Sequence, residues 1–194
     1  MRPHQVLAFE WPTSVPLLVL APFVGIACIA LEYLVGVLIL YVRTQRLITR
    51  VTVHGSYAAF PRIGGKDIVS VLVVVVGEEL ILRQFLFRLL ATEMAIEMSL
   101  VILLCALAYA INHLPFGGTS ALAKFPSGLV YVWLYYASGL SVAVVVVAHA
   151  TQNLTLLGLS RRSSWLSNAS SLLSTLRSWW ASRRSREVGN RRWR

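Results

Sequence analysis

The sequence predicts an all-α fold: a polytopic bundle of about five transmembrane helices, followed by a C-terminal interfacial amphipathic helix. Three observations predict it. Of the 194 residues, 57% are hydrophobic and 13% are charged, whereas an ordinary soluble domain carries about 25% charged residues. The apolar residues gather into long runs divided by basic or Gly/Pro-bearing stretches. These runs show almost no polar alternation, and in lipid only helices and closed barrels satisfy the backbone. The chain is long enough for one compact bundle and too short for a second sizeable domain.

The first run, Pro16–Val42, is long enough to cross a ~30 Å hydrocarbon core with some tilt. It is too long for a signal h-region and is followed by arginines rather than a small-residue cleavage site. A polar, basic stretch covers 43–67. Ile68–Leu90 is the second span and Met94–His113 the third. Pro115, Gly117 and Gly118 break the pattern after it. The fourth run, Pro126–Ala137, rises only ~18 Å as a helix. It must therefore begin near Thr119, with Lys124 snorkelling, or be re-entrant. Leu140–Leu159 is the fifth span, joined through Ser138 and Gly139. The valine runs 73–76 and 144–147 favour strands by propensity, but their setting in long apolar runs favours helices. Cys28 and Cys105 lie in apolar runs without metal-ligand spacing and read as packing residues.

Five spans put the loop 43–67, Lys124 and the C-terminal arginines on one side. Fifteen of the eighteen Lys and Arg residues then face the cytoplasm, with Arg2 outside and Arg83 and Arg88 within a span. The positive-inside rule thus places the N-terminus outside and the C-terminus inside. After Ser160 come nine arginines and one acid, Glu187. Beside membrane spans, their nearest partner is the anionic leaflet, and no nucleic acid is expected. In this tail Trp165, Leu166, Ala169, Leu172, Leu173, Leu176, Trp179 and Trp180 recur at helical spacing, the pattern of an interfacial helix. The chain divides into an N-terminal helix and basic loop (1–65), a polar-bearing core (66–160) and a basic amphipathic tail (161–194).

Ionisable groups at membrane depth are costly and point to function. Glu78 and Glu79 interrupt the second span. Glu79 and Arg83 are four residues apart, so each offsets part of the other's burial cost. Glu78 points about 100° away, lacks that partner and is the candidate general base. Asn112 and His113 end the third span, with Tyr109 one turn before. His149 and Asn153 share a face of the fifth. Glu78 and His149 each lie about eleven residues from the cytoplasmic end of their spans, at a depth of ~16 Å, so they can share one cavity open to the cytoplasm. Taken singly, such pairs also serve as helix glue.

Glu-Glu-x-x-x-Arg at 78–83, aromatic-x-x-x-His at 109–113 and His-x-x-x-Asn at 149–153 resemble the three motifs of the CPBP intramembrane protease family. That family includes the CaaX prenyl endoproteases and bacteriocin-processing relatives. The resemblance covers about residues 66–158, departing from the usual pattern at Tyr109 and at Leu82 before Arg83, where the family usually has Phe. It implies an intramembrane endopeptidase acting on a membrane-associated peptide or protein. Glu78 would activate water with help from His113, His149 and Asn153 would donate to the oxyanion, and Glu79 and Arg83 would support the site. No cofactor is expected. A zinc alternative would use Glu78, His113 and His149 as ligands, although the H-E-x-x-H signature is absent. A competing reading is a catalytically silent peptide-binding or immunity protein on the same scaffold. Sixteen arginines against two lysines fit a GC-rich, bacterial genome and a plasma-membrane location. The expected substrate is then a peptide other than a prenylated CaaX tail.

Overall fold

The computed structural model describes residues 15–45 and 64–159. Among them the fold is entirely helical. The expected tail helix and most of the basic loop lie outside the described residues.

Helix α1 spans Val15–Thr44. Helix α2 begins at Gly65, where the Gly64 N–H donates to Asp67 Oδ2 at 2.7 Å. It is α-helical to Glu79 and continues through wide π-type turns over Leu80–Phe87 and Leu89–Glu93. Helix α3 is Met98–Asn112 and α4 is Gly118–Ala137, joined by a 3-10 turn at Leu114–Phe116. Helix α5 is Val142–Leu159. Short connections at 94–97, 113–117 and 138–141 make successive helices antiparallel neighbours.

Five helices stand where five spans were expected. Two of them, α1 and α5, have the length and apolar composition to cross a membrane, and α3 is apolar but shorter. The outer faces carry Val19, Phe23, Val73, Ile81, Leu103, Leu122 and Trp133, all largely exposed. An exterior this apolar suits lipid better than water. The valine runs are helical throughout, since packing and the length of the apolar runs override β-propensity.

The fourth run starts upstream of Pro126, as a span beginning near Thr119 required: α4 begins at Gly118 and carries Pro126 inside it. Lys124 does not snorkel; its Nζ sits 2.9 Å from Glu32 Oε2 of α1. Arg43 Nη1 also donates to Thr119 Oγ1 at 3.4 Å, holding the end of α1 against the start of α4. The second span is longer than expected, and the third starts at Met98, where Glu97 caps it through the Leu100 N–H.

Helix α5 is central: 44% of its span window is buried, against 11% for α1. Gly25 of α1 meets it so closely that an added Cβ would lie 2.1 Å from the Ala148 carbonyl oxygen. Val71 and Val75 of α2 pack with Leu157, and Tyr109 of α3 and Tyr131 of α4 ring His149. Gly128 performs the same service between α4 and α3, its Cβ position lying 3.0 Å from the Ala106 carbonyl oxygen. Small residues at these crossings let backbones approach without lipid between them. The central helix therefore presents His149 and Gln152 to side chains from α2, α3 and α4.

Candidate active site

His149 organises the cluster. Its Nδ1 is 2.7 Å from Glu79 Oε1, so Nδ1–H donates to that carboxylate and Nε2 is turned to the other side of the ring. Around Nε2 lie Asn153 Nδ2 at 3.2 Å, Tyr109 Oη at 3.4 Å and Glu78 Oε2 at 3.8 Å. Glu79 also pairs with Arg83, whose Nε is 3.1 Å from Oε2, and both side chains are fully buried. The guanidinium lies 5.0 Å from the Tyr109 ring centre and 6.0 Å from that of Tyr131. Its nitrogens have no aligned hydrogen-bond partner among the described residues. Charge pairing and aromatic faces are what compensate its burial.

Glu78 behaves differently from its neighbour. Its side chain is 20% exposed while that of Glu79 is 0%, the outcome of a 100° turn about the same helix. Nor is it without a partner, as the sequence suggested: Asn112 Nδ2 donates to Glu78 Oε1 at 2.7 Å. Glu78 Oε2 is left toward His149. At the end of α3, His113 Nδ1–H donates to the Tyr109 carbonyl at 2.9 Å. That bond frees Nε2 of His113 as an acceptor, and its ring stacks 4.8 Å from Tyr109.

Of the six residues singled out from sequence, Glu78, Glu79, Arg83, His149 and Asn153 form one contiguous network, and His113 joins it through Tyr109. Sequence reasoning missed two links. Asn112 was noted only as His113's polar neighbour, and that polar pair was the available signal. The Glu79–His149 bond joins residues 70 apart in sequence and had none. A zinc set of Glu78, His113 and His149 is not gathered here: among the described residues no three His, Cys, Asp or Glu side chains are placed to hold one ion.

Residues 67–155 match the family model described as Type II CAAX prenyl endopeptidase Rce1-like. This agrees with the CPBP resemblance drawn from the three motifs, over nearly the same stretch. No curated protein and no solved structure matches the chain.

Proposed function

With residues 67–155 forming a Type II CAAX prenyl endopeptidase Rce1-like domain, we propose that this chain is an intramembrane endopeptidase whose base is Glu78. The observation that carries this reading is the division between the two glutamates. One carboxylate is buried against Arg83 and His149, while the other is partly exposed between Asn112 and His149. An endopeptidase of this kind needs a base, a held water and donors for the oxyanion.

In the proposed reaction, a water held by His113 Nε2 gives a proton to Glu78 as its oxygen bonds to the scissile carbonyl carbon. The negative charge on the carbonyl oxygen receives hydrogen bonds from Asn153 Nδ2–H and from the His149 ring. Glu79 fixes the ring so that Nε2 points that way, and Tyr109 Oη supplies a third donor. Collapse of the intermediate breaks the C–N bond, and the proton on Glu78 passes to the leaving amine. A preorganised oxyanion donor is typically worth about 3–4 kcal/mol, so two or three donors account for a large rate enhancement without a covalent intermediate. No resident metal enters this scheme.

The five helices are proposed to span a bacterial plasma membrane, N-terminus outside, with the cavity opening to the cytoplasm. The arginines after Ser160 would rest on anionic headgroups. The substrate class is a membrane-associated peptide or protein tail.

The test uses purified full-length protein in detergent and two internally quenched peptides, one ending in a farnesylated CaaX sequence and one identical but without the farnesyl group. Cleavage lost in Glu78→Gln and unaffected by a chelator is the expected result. Loss with chelator and rescue by zinc would replace the glutamate base with a metal mechanism. Equal cleavage by wild type and Glu78→Gln would remove Glu78 from its role. Binding of either peptide without cleavage would favour the silent binding protein.

A further inference from the structure

Outside the reacting groups, a second polar cluster lies between α1, α4 and α5. It starts at the Lys124–Glu32 pair, whose side chains are each 13% exposed. Ser127 and Tyr131 follow Lys124 on α4 at helical spacing, on one face. The Cys28 thiol of α1 lies against Ser127 and Tyr131 and within electrostatic reach of Glu32 and Lys124, which ties these groups to one locus. Tyr131 donates to Gln152 of α5, and its ring centre is 5.2 Å from that of His149. Glu32 and Lys124 both act electrostatically on His113. The stripe thus runs from the His113 side of the active site to the His149 side.

Three of its atoms are buried without a hydrogen-bond partner among the described residues: Glu32 Oε1, Ser127 Oγ and Gln152 Nε2. Buried polar groups in native proteins are nearly always satisfied. These three comprise an acceptor, a hydroxyl that does both, and a donor. The formal charges of Lys124 and Glu32 cancel. A carboxylate ligand would meet Glu32 and an ammonium would meet Lys124, so the fitting ligand is neutral and alternates donors with acceptors. An extended peptide main chain has that chemistry. It also has the need, because a peptide bond opened for attack has left its helical hydrogen bonds. Inside a bilayer its N–H and C=O groups then require partners from protein.

We propose that Glu32, Lys124, Ser127 and Gln152 form a subsite that holds the extended main chain of the substrate beside the scissile bond. The subsite rests on the endopeptidase reading. Ser127 tests it, since its only polar contact among the described residues is the weak one with the Cys28 thiol.

The experiment measures fluorescence anisotropy of a fluorescein-labelled copy of the peptide without the farnesyl group bound to full-length Glu78→Gln protein, with and without Ser127→Ala. Wild-type cleavage of both peptides is assayed in parallel. Ser127→Ala should raise Kd about five-fold, the effect of losing one net hydrogen bond, with the thermal midpoint unchanged. The exchange Glu32→Lys with Lys124→Glu keeps an ion pair but swaps donor for acceptor, and should raise Kd at least about ten-fold in folded protein. An unmoved Kd in Ser127→Ala would overturn the subsite while wild-type cleavage continued, and so would an unmoved Kd in the folded exchange variant. A cluster that merely holds water gives that same unmoved Kd. Absence of both binding and cleavage in the wild-type background would instead bring down the endopeptidase reading, and the subsite with it.

Discussion

Glu79→Gln isolates one charge at the centre of the bundle. Gln keeps the side-chain volume and an oxygen that can accept from His149 Nδ1–H, so packing and that hydrogen bond survive. What is lost is the anion 3.1 Å from Arg83 Nε. At an effective dielectric of ~20, two unit charges at that distance attract by about 5 kcal/mol. Removing one partner of a buried pair typically costs about 3–5 kcal/mol, because the other charge stays buried. The Tyr109 and Tyr131 faces over the guanidinium return about 1–2 kcal/mol of that. A net loss of roughly 3 kcal/mol follows, or about 6–12 °C in thermal midpoint at the ~2–4 °C per kcal/mol of a domain this size. The unfolding assay can use a thiol-reactive dye, since Cys28 and Cys105 are both buried. Glu79→Gln with Arg83→Met buries no charge from this pair and should recover most of the loss. A single variant within about 1 kcal/mol of wild type, or a double variant no better than the single, would refute the claim that this ion pair compensates the buried arginine.

Three further outcomes are expected. Asn112→Ala removes the donor at 2.7 Å from Glu78 Oε1; a hydrogen bond to a charged group is worth about 1.5–3 kcal/mol, so kcat should fall roughly ten- to a hundredfold with KM nearly constant, and a change in KM alone would contradict the positioning role. Gly25→Ala drives a Cβ to within 2.1 Å of the Ala148 carbonyl oxygen, while the same change at Gly36 meets open space; the first should destabilise by at least about 1–3 kcal/mol and the second should be neutral or stabilising, which thermal midpoints in detergent will compare. Bonds from the Ser99 hydroxyl and the Ser99 and Leu100 N–H groups hold the exposed Glu97 carboxylate below its ordinary value of 4.5. Because the folded value is the lower one, this cap contributes fully above pH 4.5 and is lost as pH falls through the folded value. The midpoint difference between wild type and Glu97→Ala should therefore be flat near neutral pH and shrink in acid, and a difference that grew on acidification would reverse the assignment.

Helical class, the polar residues of the core and their grouping by face were legible because they rest on local periodicity. Residues four apart, such as Glu79 with Arg83 and His149 with Asn153, meet in any helix. Contacts between helices were not legible, and these decide what each group does. Lys124 read as a snorkelling cation because nothing local distinguishes it from one; its partner Glu32 is 92 residues away in sequence. The start of α4 near Thr119 followed from the length a span needs, but the choice between that start and a re-entrant segment stayed open, because Pro126 breaks helices in water yet is tolerated among packed membrane helices. The π-type turns after Glu79 carry no composition signal in Leu80–Phe87, a segment of good helix formers with ordinary spacing.

Those wide turns begin directly after the two glutamates, and the junction helps explain how adjacent identical residues acquire unlike roles. The rotation of 100° per residue in the α-helical part aims Glu79 at α5 and Glu78 at the end of α3. Beyond the junction the chain winds more widely, a feature that recurs at functional sites. Even so, Arg83 remains four residues from Glu79 and in contact with it. The buried glutamate has one oxygen hydrogen-bonded to His149 and the other in an ion pair 3.1 Å from Arg83 Nε, and its side chain is fully enclosed. Glu78 commits one oxygen to Asn112 and keeps the other toward His149. The proposed assignment of base to Glu78 and of support to Glu79 is supported by this difference in burial and charge pairing, which is read from geometry rather than from any motif.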